Sequence, residues 1–461
     1  MIYPKAQQKV YGVPPQHKKV IKAAVINFIL LQLLFLGLFC YLFGSLFQQT
    51  THMHNLNVAF IDYDNNGTIG AAVRSAYSTL KGPTFPTLTE HSPAQYPQPV
   101  DIVSSVCSIQ YWGGLYITAN ASNRVSAALV SGTEYNTTDI MFFAWNEARY
   151  PTVVDSLEEE MQILAEAARV VYSTPQRILT VNHTDQISVQ SFVKPWVLSA
   201  INIQPTTQGS RLIYNTLVII LILIQEFFYL GYINGLHQQF QLYLSLPVQR
   251  VTMIRVLLSV TYTLVGSLCT TGAIWAFRHG WQVNGAQFVL TWMVLWLFAH
   301  LNFLVLNIFT IWILPPFVPM ALISWIILNV TSILLPFELS PAFYKWGYAL
   351  PAHSVFQVLV DIWSGGCNPQ LDYALPVLFV YELVGLALSV LGVYRRTHYA
   401  VLAREAEMRR FSQSQNQPET GAETGTETEL SRSETGMALS EIPTVERTAS
   451  RRNEPCFELL V

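Results

Sequence analysis

Asp62, Asp64 and Asn66 stand two residues apart and Gly67 follows, the spacing with which a calcium loop presents oxygens around a sharp turn. Ile69 fills the apolar eighth position of such a loop, but Val73 occupies the twelfth, where a bidentate Glu is needed. The same residues also read as a turn between the strand-like NVAFID and the helical TIGAAVRSAYSTL. The strand-to-helix turn is the reading expected, with no metal assigned.

A second set of chemistry-bearing residues lies inside apolar runs, where an unpaired polar group is costly. Glu226 interrupts LIQEFFYLGY; His300, Asn302 and Asn307 share a later run; Glu382 sits in the last, toward its outer interface. Asn27 and Gln32 fall in the first run. These residues suit either a polar pathway for a substrate or hydrogen bonds that tie helices together. The chain carries no GxxxxGK[ST], HExxH or GxSxG pattern. The expectation is therefore a non-enzyme without a cofactor, in which energy coupling needs a separate ATPase or an ion gradient.

The elements that hold these residues follow from composition. Of 461 residues, 51% are hydrophobic and 12% charged, against about 25% charged in soluble domains. The net charge of −3, with no basic patch interleaved with aromatics, argues against a nucleic-acid partner. Six segments reach the roughly 20 apolar residues that cross a bilayer: about 20–47, 212–235, 253–277, 286–314, 317–335 and 374–394. The first is too long for a signal peptide and is expected to remain as an anchor. Lys5, Lys9, Lys18, Lys19 and Lys22 precede it, and Arg395, Arg396, Arg404, Arg409 and Arg410 follow the last span. Both termini are therefore expected to be cytosolic.

The expected organisation is a cytosolic segment 1–19, a transmembrane helix 20–47 and an extracellular or luminal α+β domain 48–211. A five-helix region 212–400 follows, with an outer re-entrant segment near 336–373, and then a disordered cytosolic tail 401–461. Four sequons, at Asn66, Asn120, Asn136 and Asn182, fall in the expected outer domain and are glycosylation candidates, whereas Asn329 lies in a span. Cys107 and Cys367 share the oxidising side; a disulfide and two free thiols both fit the sequence.

Four stretches carry a family resemblance: NVAFIDYDNNGTIGAA, YWGGLYITANAS (Tyr111–Ser122), WNEARY (Trp145–Tyr150) and NVTSILLPFELSPAFYKWGYALPAHS (Asn329–Ser354). In this order they resemble the fungal nitrosoguanidine-resistance membrane proteins, relatives of bacterial phage-infection proteins and, more distantly, of ABC-2-type exporter permeases. The resemblance runs from the first span to about His398. It implies an ABC-2-permease-like six-helix bundle, and a link to resistance to toxic compounds and to plasma-membrane phospholipid distribution. The expected function is transport of, or resistance to, small toxic molecules; the alternative is a membrane scaffold acting through its outer domain or tail. Expected partners are membrane lipids, a small-molecule or lipid substrate, and a second copy or another membrane protein. The plasma membrane is the expected location, ahead of an endomembrane.

Overall fold

The computed structural model describes residues 17–174, 178–206, 217–278 and 281–415. Most of the expected N-terminal segment, and the expected tail from 416 onward, lie outside them.

Helix α1 (His17–Ser45) leads through a 3-10 turn into a sheet-containing domain. Its strands are β1 (Asn57–Asp62), β2 (Thr87–His91), β3 (Gly113–Ile117), β4 (Met141–Trp145) and β5 (Leu198–Asn202). Between them run α2 (Thr68–Leu80), α3 (Pro99–Cys107), α4 (Ala121–Ser131), α5 (Pro151–Tyr172) and α6 (Gln186–Val193). The sheet order is β2-β1-β3-β4-β5, and only the β3–β4 pair is antiparallel. Helices thus alternate with mostly parallel strands, a more interleaved arrangement than the α+β domain expected. The cause is that parallel neighbours need a crossover, which helices provide. Alternate residues of β1 serve the two faces: Val58 and Phe60 join one core, Ala59 and Ile61 the other beside Ile102 of α3.

The bundle comprises α7 (Val218–Gln239), the short α8 (Leu242–Ser245), α9 (Val248–Ala276), α10 (Gly285–Trp312), α11 (Val318–Leu334), α12 (Pro351–Trp363) and α13 (Leu371–Gln415). Six helices are long and apolar enough to cross a membrane: α1, α7, α9, α10, α13, and α11 with the turn before it. The molecule is an integral, multi-pass membrane protein. Asn284 and Gln287 form a reciprocal cap at the start of α10, which satisfies backbone N–H groups where the helix begins. Helix α1 packs on α11 and the aromatic turn 342–349, where Tyr344 donates to the Tyr41 carbonyl at 2.8 Å. The rest of α1 bears exposed apolar side chains such as Phe28, Leu33 and Leu36, as a lipid-facing helix should.

Residues 351–360 of α12, within the segment expected to be re-entrant, are all buried against the rest of the protein. The helix packs against α10, α11 and α13, and its Phe356 ring meets Tyr150 of the sheet domain at 4.9 Å. The last helix runs to Gln415, past the expected start of the disordered tail at 401. Pairs at helical spacing, Arg404–Glu407 and Glu405–Arg409, support that extension.

Candidate functional site: a buried polar seam in the bundle

Helix α9 turns a polar stripe inward. Arg255, Ser259, Thr263, Ser267 and Thr271 recur every four residues, and each is at most 2% exposed. Met253, Leu257 and Val265 face outward. The hydroxyls mostly return to their own helix: Thr263 donates to the Ser259 carbonyl at 2.9 Å and Thr271 to the Ser267 carbonyl at 2.8 Å. With their hydrogen bonds met internally, these small side chains let α10 approach closely.

Midway along α10, His300 Nδ1 lies 2.6 Å from Glu382 Oε1 of α13, and its Nε2 lies 3.2 Å from Ser259 Oγ. The Ser259 hydroxyl donates to the Val256 carbonyl at 2.9 Å, so its oxygen is left to accept from His300 Nε2–H. Nδ1 and Oε1 are at hydrogen-bond distance, a contact that needs a proton on one of the two atoms. Glu382, its side chain 19% exposed, thus pairs with His300 across α10 and α13.

Two turns further along α10, Asn307 accepts from Arg255 Nη2 at 2.5 Å and donates to Ser389 Oγ at 2.8 Å. Arg255 also donates to Asn234 Oδ1 of α7 at 2.7 Å, and Arg396 Nη1 of α13 reaches that same oxygen at 2.8 Å. Asn302 stands apart: it accepts from Trp325 Nε1 at 2.9 Å and so links α10 to α11. Glu226 is fully buried in α7, and neither carboxylate oxygen has a hydrogen-bond partner among the described residues. Asn27 and Gln32 lie on the exposed α1 and join none of these contacts.

Sequence reasoning finds His300, Glu382 and Asn307 but not Arg255, Asn234, Ser389 or Arg396. The four-residue spacing of Arg255, Ser259, Thr263, Ser267 and Thr271 is the signal that would have revealed the stripe.

Where the sheet domain meets the bundle, His353 of α12 has its Nδ1 3.1 Å from the Ser332 carbonyl and its Nε2 3.2 Å from the Tyr373 hydroxyl. Burial pushes this imidazole down to about 4, against the raising effect of its Ser332 hydrogen bond. Arg149 lies over the Trp112 ring at 3.6 Å, and burial pushes the neighbouring Tyr150 phenol well above its ordinary value. Cys107 and Cys367 are joined in a disulfide.

In the Asp62–Asp64 turn the carboxylates serve the fold. Asp62 Oδ2 pairs with Arg74 at 2.9 Å, and Asp64 Oδ2 accepts from the Ser122 backbone N–H at 3.0 Å. Asn66, Asn120 and Asn136 are exposed and Asn182 is half-buried. Asn329 is buried and accepts from the Ala352 backbone N–H at 3.1 Å.

Residues 27–387, from α1 to the Glu382 level of α13, match the family described as a protein of unknown function, DUF3533. The chain belongs to this family. Among its relatives is an uncharacterized endoplasmic reticulum membrane protein of Saccharomyces cerevisiae, 22% identical over 397 residues that cover 74% of each chain. No solved structure matches the chain. The family match therefore spans the sheet domain and nearly all of the polar seam, and its description names no activity.

Proposed function

We propose that this DUF3533 protein moves a small toxic or lipid-like molecule through or along its bundle, or assists another transporter in doing so, without an ATPase or catalytic activity of its own. One observation carries the reading: a fully buried Glu226 without a hydrogen-bond partner among the described residues lies in the same bundle as the His300–Glu382 pair. Buried ionisable groups at membrane depth are costly, and proteins use them on substrate and proton paths. The resemblance to nitrosoguanidine-resistance proteins supports the same reading, as does the order of one span, a large domain and five further spans, which is similar to ABC-2-type permeases.

In this proposal the sheet domain faces the lumen or the extracellular space and both termini face the cytosol. The yeast relative's description favours the endoplasmic reticulum over the plasma membrane. Replacing Asn66, Asn120, Asn136 and Asn182 by Gln should then remove the mobility shift that endoglycosidase produces; a wild-type chain without that shift would argue against this orientation.

The functional test uses cells lacking the protein, complemented with wild type, Glu226→Gln or His300→Ala at matched expression. Efflux of a fluorescent drug and redistribution of a fluorescent phospholipid are followed. Loss in a normally folded, normally located variant supports transport. Equal efflux in all strains, the deletion included, sinks it. A scaffold is the second reading, favoured by the way the α9 hydroxyls close on their own helix, as packing alone would require. It predicts that both substitutions are silent while loss of the tail or outer domain abolishes the phenotype.

A further inference from the structure

At the bundle end remote from the sheet domain, two arginines from different helices meet neutral partners only. Arg255, 2% exposed, donates from Nη2 to Asn234 Oδ1 and Asn307 Oδ1. Arg396 donates to the same Asn234 oxygen and, at 2.6 Å, to Thr310 Oγ1. Both guanidiniums lie 3.4 Å from the Tyr243 hydroxyl of α8. None of the ion pairs among the described residues includes either arginine. A guanidinium stays protonated, so the cluster holds two positive charges without a carboxylate.

Donors also outnumber acceptors here. Each guanidinium offers five N–H groups, and the two share a few amide and hydroxyl oxygens. The Asn234 amide nitrogen, in a residue 3% exposed, has no acceptor among the described residues. Burial would raise the Tyr243 phenol, yet the two arginines hold it below its ordinary value, so the field at that oxygen is positive.

The position along α13 suits a headgroup. Arg396 lies about 37 Å along α13 from Leu371, beyond the roughly 30 Å hydrocarbon core. Its neighbour Arg395 stacks over the Trp312 ring at 4.3 Å, and exposed Phe240, Met253 and Tyr394 present apolar surface at the same end. Cation and aromatic together are what a membrane interface selects.

We propose that Arg255 and Arg396, with the Asn234 amide, bind a phosphate group at this end of the bundle. The planar guanidinium fork matches phosphate oxygens, and the buried amide supplies a further donor. A lipid headgroup and free phosphate share this chemistry. The proposal does not depend on the transport reading, because a phosphate held here would serve a scaffold equally well.

The test is thermal unfolding of the purified full-length protein in neutral detergent micelles, in three conditions: with phosphatidylcholine, with added phosphatidic acid, and with added inorganic phosphate. Phosphatidic acid should raise the wild-type midpoint by about 5 °C over phosphatidylcholine. A rise with the lipid alone assigns the headgroup, and an equal rise with inorganic phosphate assigns a soluble anion. Arg396→Gln changes a partly exposed side chain and should abolish the rise, while Arg396→Lys should keep part of it. Asn234→Ala, which leaves both charges in place, should reduce it and serves if Arg396→Gln does not fold. No rise in wild type with either probe, or an equal rise in the variants, overturns the proposal.

Discussion

His353 shows how much a residue's neighbours decide. Its ring is enclosed by Phe337, Tyr348 and Tyr373 at centroid distances of 4.8, 4.9 and 6.4 Å, and burial holds its pKa near 4. The unfolded chain takes up a proton near pH 6.5, so between about 6.5 and 4 it binds more protons than the folded one. His353 therefore favours folding fully above pH 6.5, and that contribution falls away as the pH drops toward 4, by up to roughly 3 kcal/mol. The unfolding midpoint should fall between pH 7 and pH 5, and His353→Gln should flatten that fall; parallel curves would remove His353 as the cause. At this scale the sequence supplies residue types and little about their partners. An arginine two residues into a span expected to start at Met253 reads as a flanking charge, and only the approach of Asn234 and Asn307 shows Arg255 to be interior.

Among elements, close approach is set by glycine. A Cβ on Gly114 of β3 would stand 2.2 Å from Ile102 Cγ2, because α3 crosses the sheet directly over it. Gly114→Val should force α3 outward and cost about 1–3 kcal/mol, read as a lower unfolding midpoint. An unchanged midpoint would mean that α3 moves freely. Gly392 of α13 plays the same part in the bundle, with Ile311 of α10 2.1 Å from its would-be Cβ. Legibility among elements follows periodicity. Long apolar runs and the amphipathic α5 announce themselves, and NVAFID reads correctly as the strand β1. MFFAW gives no alternation because β4 is central and covered on both faces, so the sequence reading passes over it.

For the whole molecule, the sheet domain and the bundle form one body. A single apolar cluster runs from Val58 and Leu115 in the sheet through Val154 and Leu157 of α5 to Phe298 of α10 and Val355 of α12. The Cys107–Cys367 disulfide closes 260 residues of chain between α3 and the approach to α13, and Asn146 Nδ2 donates to the Cys367 carbonyl at 3.2 Å beside it. Cys107→Ser/Cys367→Ser should lower stability by about 2–5 kcal/mol and leave the fold intact, since the shared core remains. Thermal unfolding with and without reductant checks this: reductant should lower the wild-type midpoint and leave the double variant unmoved. An unshifted wild type would show that the bridge carries no stability.

By itself, the sequence determines that the chain is a multi-pass membrane protein with six segments long and apolar enough to span, and a large domain after the first. Composition and run length are local properties, and the cost of exposing backbone or charge to lipid converts them directly into spans. The tertiary structure alone decides that Glu382 faces His300, that two arginines share Asn234, and that Glu226 is left without a partner among the described residues. Those facts depend on the rotation and depth of each helix about its own axis. Packing against neighbours far away in the sequence sets both, and no local pattern encodes them.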